Sequence, residues 1–118
     1  MVTRMTTVLI VDDYQPFRDS ARGLLESGDF DVVGEAEDGH GALRLAEQLR
    51  PDVVLLDVHM PDLDGFEVAR RLARLERPPR VVLTSSRDDY APLVAASAAH
   101  AFVRKDALSA ETLASALG

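Results

Sequence analysis

The chain has 118 residues, of which 47% are hydrophobic and 28% are charged, and its formal net charge is -7 at pH 7. This length and composition predict one compact domain and argue against a disordered chain. The negative charge leaves no basic surface for a phosphate backbone, so direct binding of DNA or RNA by this domain is not expected. The chain contains no cysteine, which excludes disulfides and thiolate metal ligands.

The N-terminal residues show no targeting signal. Residues 1–7 lack the apolar core of a signal peptide, and no stretch approaches the roughly 20 apolar residues that span a bilayer. The absence of cysteine suits a reducing compartment. We therefore expect a cytoplasmic protein without membrane contact.

The first half of the chain alternates short apolar runs with helical patterns. Residues 8–11 form an apolar, β-branched run that stops at two aspartates, which is typical of a strand buried on both faces. Val32 and Val33 predict a second strand. Helical periodicity follows each strand. The predicted buried positions are Phe17, Ala21, Leu24 and Leu25 in the first helix and Ala42, Leu45, Ala46 and Leu49 in the second.

The second half of the chain continues this alternation. Residues 53–56 predict a third strand and residues 81–83 a fourth. Between them, a helix ending at Pro78–Pro79 is expected to bury one apolar face. The positions of that face are Phe66, Ala69, Leu72 and Ala73. The rest predicts a fourth helix (Leu93, Val94, Ala98), a fifth strand (Ala101, Phe102, Val103) and a short fifth helix (Leu113, Leu117).

Apolar strands that alternate with amphipathic helices predict a doubly wound parallel α/β sheet with helices on both faces. Ligands of such sheets bind beyond the carboxyl ends of the strands, where the strand order reverses. The polar residues that follow or end these strands are Asp12, Asp13, Asp57, Thr84 and Lys105. We therefore expect the chemistry of the protein at this edge.

Three carboxylates at one edge point to a metal site and to phosphoryl transfer. Clustered carboxylates repel one another unless a hard divalent cation lies between them, and Mg²⁺ is the best candidate. Mg²⁺ commonly bridges carboxylates to phosphate oxygens, and an aspartate can itself act as the nucleophile. Each residue alone has an ordinary alternative role, such as a helix cap for an aspartate, a turn for the threonine or a surface charge for the lysine. Their joint position favours a site.

The sequence resembles the response regulator receiver family of bacterial two-component systems. Four segments carry the resemblance, namely residues 8–13, 57–65, 83–85 and 102–106. It extends along almost the whole chain, so residues 1–118 are expected to form one receiver domain. The family has a flavodoxin-like fold with five parallel strands in the order 2-1-3-4-5.

The resemblance implies roles for individual residues. Asp57 would be the phosphoacceptor, and Asp13 and Asp57 would bind Mg²⁺ directly. Asp12 would bind it through water, and the backbone carbonyl of His59 would be a further ligand.

Three further residues would act on the phosphoryl group or respond to it. Lys105 would pair with its oxygens and Thr84 would hydrogen-bond to one of them. Phe102 would change rotamer together with Thr84 as the switch. The surface formed by the predicted fourth helix, fifth strand and fifth helix would be the partner surface.

The resemblance also implies partners and an output. The phosphoryl group would come from a sensor histidine kinase or a phosphotransfer protein, and phosphorylation would promote a homodimer. The chain would thus be a switch in transcription regulation and not an enzyme with free substrates. Asp106 follows Lys105 where many receivers have proline, which resembles the subgroup fused to helix-turn-helix output domains.

Two other functions compete with the phosphorylation switch. A stand-alone or degenerate receiver would act only as a protein-interaction module. A haloacid-dehalogenase-like phosphatase also uses an aspartate nucleophile and Mg²⁺, but its Asp-x-Asp-x-Thr arrangement differs from the adjacent pair Asp12–Asp13.

Overall fold

The structure is a computed structural model that describes residues 5–87 and 90–118. Its strands are β1 (Thr6–Val11), β2 (Phe30–Ala36), β3 (Val53–Asp57), β4 (Arg80–Ser85) and β5 (Ala101–Arg104). Its α-helices are α1 (Gln15–Glu26), α2 (Gly39–Leu49), α3 (Gly65–Leu72) and α4 (Ala110–Leu117). Two 3₁₀ helices cover Ala91–Ala96 and Lys105–Ala107. Within the described ranges, no helix has the length and apolar composition needed to cross a membrane.

The five strands form one parallel sheet in the order β2-β1-β3-β4-β5, which confirms the predicted flavodoxin-like topology. Successive side chains of a strand point to opposite faces of the sheet. In β1, Val8 and Ile10 pack with α1 and α4, whereas Leu9 and Val11 pack with α2 and α3. The sheet is therefore covered on both faces, and residues 8–11 of β1 and 53–56 of β3 are all apolar because these central strands are buried on both sides.

Local sequence signals explain where the helices begin and end. Pro16 lies in the first turn of α1, where its missing N–H group costs no hydrogen bond. Asp38 caps α2 by accepting a hydrogen bond from the Gly41 N–H group. Arg50 ends α2 in the left-handed conformation, with φ at 48°. Pro51 follows it and disfavours a further helical residue at that position.

In the first two helices, two predicted core positions are wrong. Leu24 is 40% exposed, because neighbouring residues of a helix lie about 100° apart and Leu25 occupies the direction toward the sheet. Leu49 is 39% exposed. It lies in the last turn of α2 beside Gly34 of the edge strand β2, which has no side chain to cover it.

The helices that flank β4 also depart from the prediction. The third helix ends at Leu72, with Ala73 exposed as its cap, and does not reach Pro78–Pro79. The predicted fourth α-helix is instead the 3₁₀ helix Ala91–Ala96, in which no residue is buried and Leu93 is 52% exposed. Ala98 lies beyond its end. The small alanine side chains of this segment offer too little apolar surface to hold an amphipathic helix against the sheet.

The neighbouring leucines of α1 provide a test of the packing. Leu25 is fully buried between the helix and the sheet, whereas Leu24 faces outward. We expect Leu25→Ala to lower the free energy of unfolding by about 2–5 kcal/mol. Leu24→Ala, the matched control, should change it by less than about 1 kcal/mol. Denaturant unfolding measures both values, and equal losses would contradict the assigned orientation of α1.

Candidate functional site

The acidic residues converge where the strand order reverses. Asp12 directly follows β1 and Asp57 ends the neighbouring strand β3, and the two strands pair in register up to Val11 and Leu56. Asp12 and Asp57 are buried, at 0% and 5% exposure, and Asp13 is exposed. One carboxylate oxygen from each of the three lies within 4.8 Å of the other two. The structure thus brings the three predicted carboxylates together.

Asp12 is held by the N-cap residue of α1 and by an arginine within that helix. Its Oδ1 accepts a hydrogen bond from the Tyr14 N–H group at 2.9 Å. Its backbone carbonyl accepts one from Arg18 Nη1 at 2.6 Å, and Arg18 Nε pairs with Glu35 at 3.1 Å. Arg18 was not predicted as a site residue, because a single arginine on the polar side of a helix does not indicate its partner. Arg18 fixes the backbone that positions the acidic pair.

Lys105 brings a positive charge to the buried carboxylates. Its Nζ lies 2.6 Å from Asp12 Oδ2 and 3.3 Å from Asp57 Oδ2. The same atom lies 4.7 Å from the centre of the Phe17 ring, a favourable cation–π contact. The lysine follows β5, so the fifth strand delivers it to the same edge as the first and third strands, as predicted.

Asp57 and Thr84 are neighbours on paired strands. Asp57 Oδ1 accepts a hydrogen bond from the His59 N–H group at 3.1 Å, and Asp57 pairs in register with Thr84. Thr84 is 1% exposed, and its buried hydroxyl has no hydrogen-bond partner among the described residues. A buried hydroxyl without a partner is unfavourable. The hydroxyl is therefore available to a group that binds beside Asp57.

Burial and the neighbouring charges shift the pKa values of two residues of the site, Asp57 and Lys105. Burial raises the pKa of Asp57 above its ordinary range, and the charge of Asp12 adds to this against the opposing effects of the His59 N–H group and Lys105. Burial alone would lower the pKa of Lys105. The hydrogen bond to Asp12 and the charges of both aspartates outweigh that effect and raise it. At neutral pH, Lys105 is consequently a cation.

The residues of this cluster fit a divalent cation. Asp12, Asp13 and Asp57 offer hard oxygen ligands, which Mg²⁺ prefers. Lys105 offsets one of the three negative charges. Two negative charges then remain in a partly buried space, and a divalent cation would balance them.

Two other predicted residues lie beside this cluster. The exposed ring of His59 hydrogen-bonds through Nε2 to the hydroxyl of Tyr90 at 2.6 Å, a contact that is not evident from the sequence. Phe102 pairs with Leu83, one residue before Thr84, and is partly buried against the core on the α2 and α3 face. Phe102 is thus near the predicted switch position without being locked inside the core.

The raised pKa of Asp57 predicts that removal of its charge increases the stability of the fold in a pH-dependent way. An aspartate of an unfolded chain titrates at about pH 3.9, and Asp57 of the folded chain titrates at a higher pH. Between these two pKa values the unfolded state loses its proton first, so the metal-free folded state becomes less stable as the pH rises through this range. We expect Asp57→Asn to raise the melting temperature at pH 7 in the presence of a chelator. The gain should disappear below about pH 4. Asp31→Asn, at an exposed position of β2, is the control, and a lower melting temperature for Asp57→Asn at pH 7 would contradict the assignment.

Comparison with known proteins shows relatives along nearly the whole chain. The family model described as the response regulator receiver domain matches residues 8–117. The chain is 41% identical over 113 residues to the protein named "Probable transcriptional regulatory protein NarL" of Mycobacterium tuberculosis, a match that covers 93% of the chain and 52% of that protein. It is 46% identical over 79 residues to protein-glutamate methylesterase/protein-glutamine glutaminase 3 of Hahella chejuensis, covering 67% of the chain but 23% of that enzyme.

The chain spans about half, or less, of the length of these curated relatives. Among solved structures, the signal receiver domain of NarL from Mycobacterium tuberculosis is similar, with a TM-score of 0.84 and 37% identity over 98% of this chain and 99% of that one. The match to the methylesterase is confined to a small part of that protein. Both the sequence and the fold therefore show that this chain belongs to the response regulator receiver domain family of two-component systems.

Proposed function

We propose that this receiver domain is a phosphorylation-dependent switch and that Asp57 is its phosphoacceptor. One observation carries the proposal, namely that the Asp57 carboxylate is buried at a strand end beside two further carboxylates and within 3.3 Å of Lys105. An aspartate buried only for structural reasons would not need an acidic cluster around it. The arrangement supports a nucleophile whose negative charge is balanced by a cation and an ammonium group.

The proposed reaction moves a phosphoryl group from a phosphohistidine to Asp57. A carboxylate oxygen of Asp57 attacks phosphorus, an O–P bond forms and the N–P bond to the histidine breaks. The electron pair of that bond returns to the imidazole, which then takes up a proton from solvent. The donor would be a sensor histidine kinase or a phosphotransfer protein.

The three carboxylates would hold the cation. When bound, Mg²⁺ supplies positive charge that stabilises the phosphoryl oxygens during transfer. We propose that Asp13 and Asp57 bind it directly, that Asp12 binds it through water, and that the His59 backbone carbonyl is a further ligand. Arg18 keeps Asp12 in place through its backbone carbonyl.

Two residues of the chain would receive the phosphoryl oxygens. Lys105 already lies beside the Asp57 carboxylate and would pair with the added negative charge. The buried Thr84 hydroxyl would gain the hydrogen-bond partner that it lacks among the described residues. Both residues would therefore bind the phosphorylated form more strongly than the free form.

The proposed switch links Thr84 to Phe102. Movement of Thr84 toward the phosphoryl group would open space beside β4, and the partly buried Phe102 on β5 would turn into that space. This turn would change the surface formed by the 3₁₀ helix Ala91–Ala96, β5 and α4. We propose that this surface is where partners, or a second copy of the domain, bind.

The process that the domain would control is proposed from the names of its relatives. NarL and several other relatives are named as transcriptional regulatory proteins, and they extend well beyond the part that matches this chain. We propose that the domain, residues 1–118, controls such an output in the cytoplasm. The net charge of -7 favours regulation through protein contacts and not through direct contact with DNA.

Phosphorylation with a small phosphodonor tests the proposed function. In the presence of Mg²⁺ and acetyl phosphate, we expect one phosphoryl group on Asp57, detected by intact-protein mass spectrometry. Asp57→Asn should abolish the mass increase, and Lys105→Ala should slow it by about 10²-fold, because it removes a cation from the transferring group. Asp64→Asn, a helix cap outside the cluster, is the matched control and should retain the modification.

Other outcomes would favour the competing functions. Modification of Asp57→Asn at the rate of the wild type would contradict the phosphoacceptor. A wild-type protein that takes no phosphoryl group would favour an interaction module. Steady turnover of a free phosphomonoester would favour a phosphatase.

The proposed switch predicts that removal of the Thr84 hydroxyl separates phosphorylation of Asp57 from the response of Phe102. We expect Thr84→Ala to accept the phosphoryl group but to lose the phosphate-dependent chemical-shift changes around Phe102, because the hydroxyl that moves is absent. Heteronuclear NMR of the phosphorylated and free forms measures these shifts. Ser86→Ala, at an exposed position beyond β4, should keep them, and unchanged Phe102 shifts in the phosphorylated wild type would contradict the switch.

A further inference from the structure

We infer that Asp62 is a positioning residue that holds the β3–α3 loop, residues 58–64, against the first turn of α2 and thereby sets the position of the proposed metal ligand on that loop. The inference rests on the proposed function of the site. Asp62 lies outside the acidic cluster.

The start of α2 is capped by two carboxylates. The first N–H groups of a helix have no acceptor within it. Asp38 accepts the hydrogen bond of Gly41 at 2.7 Å. Asp62, from the β3–α3 loop, accepts those of Gly39 at 2.7 Å and His40 at 2.9 Å, one on each carboxylate oxygen. The second cap therefore comes from a residue more than 20 positions later in the chain and ties the loop to the helix.

Further donors complete the surroundings of Asp62. The Nδ1 atom of His40 contacts Oδ2, and the Leu63 N–H group donates to Oδ1 at 2.8 Å. Desolvation of the carboxylate acts to raise its pKa, but the donors from His40, Gly39 and Leu63 outweigh this effect and hold the pKa well below its usual range. Asp62 therefore stays ionised at neutral pH, and its hydrogen bonds are charge-assisted.

The loop and the helix approach each other closely at Gly39. A Cβ atom at this position would lie 2.9 Å from Leu63 Cβ and 3.0 Å from Val68 Cγ2. Such distances are shorter than ordinary van der Waals contact, so a side chain here would push the loop away. The absence of a side chain at Gly39 allows the Asp62 contact to form.

The loop held by Asp62 carries groups of the proposed site. Its His59 N–H group donates to Asp57 Oδ1, and the His59 carbonyl is the proposed fourth ligand. The start of α3 is fixed to the same loop by the hydrogen bond from Gly65 to the Val58 carbonyl at 2.7 Å. With both ends of the loop fixed, Asp62 restrains its middle. Loss of this restraint would displace the His59 carbonyl while leaving Asp12 and Asp13, which follow β1, unchanged.

A purely structural role makes a different prediction. If Asp62 acted only as a helix cap, its removal would destabilise α2 and nothing more. Asp38 provides the matched control, because it caps the same turn of the same helix from within the local chain, through its hydrogen bond with the Gly41 N–H group. The two aspartates should therefore affect stability alike and metal binding differently.

The experiment measures Mg²⁺ affinity and melting temperature for the full chain and four variants. We expect Asp38→Ala and Asp62→Ala to lower the melting temperature similarly. Asp62→Ala should also weaken Mg²⁺ binding by about 10-fold, the range found for residues that orient metal ligands. Asp62→Asn should restore part of the affinity, because its carbonyl oxygen still accepts the Gly39 hydrogen bond. Asp13→Ala is the positive control for lost binding.

A second readout separates positioning from general loss of structure. Amide chemical shifts of His59 should change in Asp62→Ala and not in Asp38→Ala. Equal Mg²⁺ affinity for Asp62→Ala and the wild type, or equal losses for Asp62→Ala and Asp38→Ala, would overturn the inference and leave the proposed function standing. A wild-type protein that does not bind Mg²⁺ would overturn both.

Discussion

Two carboxylates, those of Asp12 and Asp57, are buried next to each other at the carboxyl ends of β1 and β3, and one ammonium group lies between them. Burial of like charges is unfavourable, and Lys105 offsets only part of it. The surrounding structure is arranged around this charge cluster. Arg18 fixes the backbone of Asp12, the His59 N–H group holds one oxygen of Asp57, and the exposed Asp13 leaves the cluster open to solvent on one side.

The same arrangement explains how a small chemical change can alter the domain. The metal-free cluster carries excess negative charge and a buried hydroxyl, that of Thr84, without a described partner. A cation and a phosphoryl group would satisfy both, so the free energy gained on binding would be available to move side chains. Because the rest of the sheet is packed on both faces, the response is expected where packing is weakest.

The two sides of the site differ in how firmly they are held. On one side, Asp62 fastens the β3–α3 loop to α2 through charge-assisted hydrogen bonds. On the other side, the alanine-rich 3₁₀ helix Ala91–Ala96 buries none of its residues, and Phe102 beside it is only partly buried. The β3–α3 loop is therefore tied to a helix, whereas the segment around Phe102 is weakly packed, and a response to a bound group is expected in that weakly packed segment.

The sequence alone determined the alternation of strands and helices, because short apolar runs rich in β-branched residues, such as residues 8–11 and 53–56, are typical of strands covered on both faces. It also determined the membership of the acidic cluster. The carboxyl ends of parallel strands lie at one edge of the sheet, and this rule predicted that Asp12, Asp57 and Lys105 lie together, as the structure shows.

Only the tertiary structure decided the features that depend on distant partners or on competition for the core. Leu24 and Leu25 have the same apolar character, and the direction of the sheet selected Leu25 for burial. The segment around Leu93 has helical spacing, but its alanines supply too little surface to pack, and it became an exposed 3₁₀ helix. The contact of Asp62 with α2 joins residues more than 20 positions apart, and local sequence carries no information about which N–H groups such a carboxylate will meet.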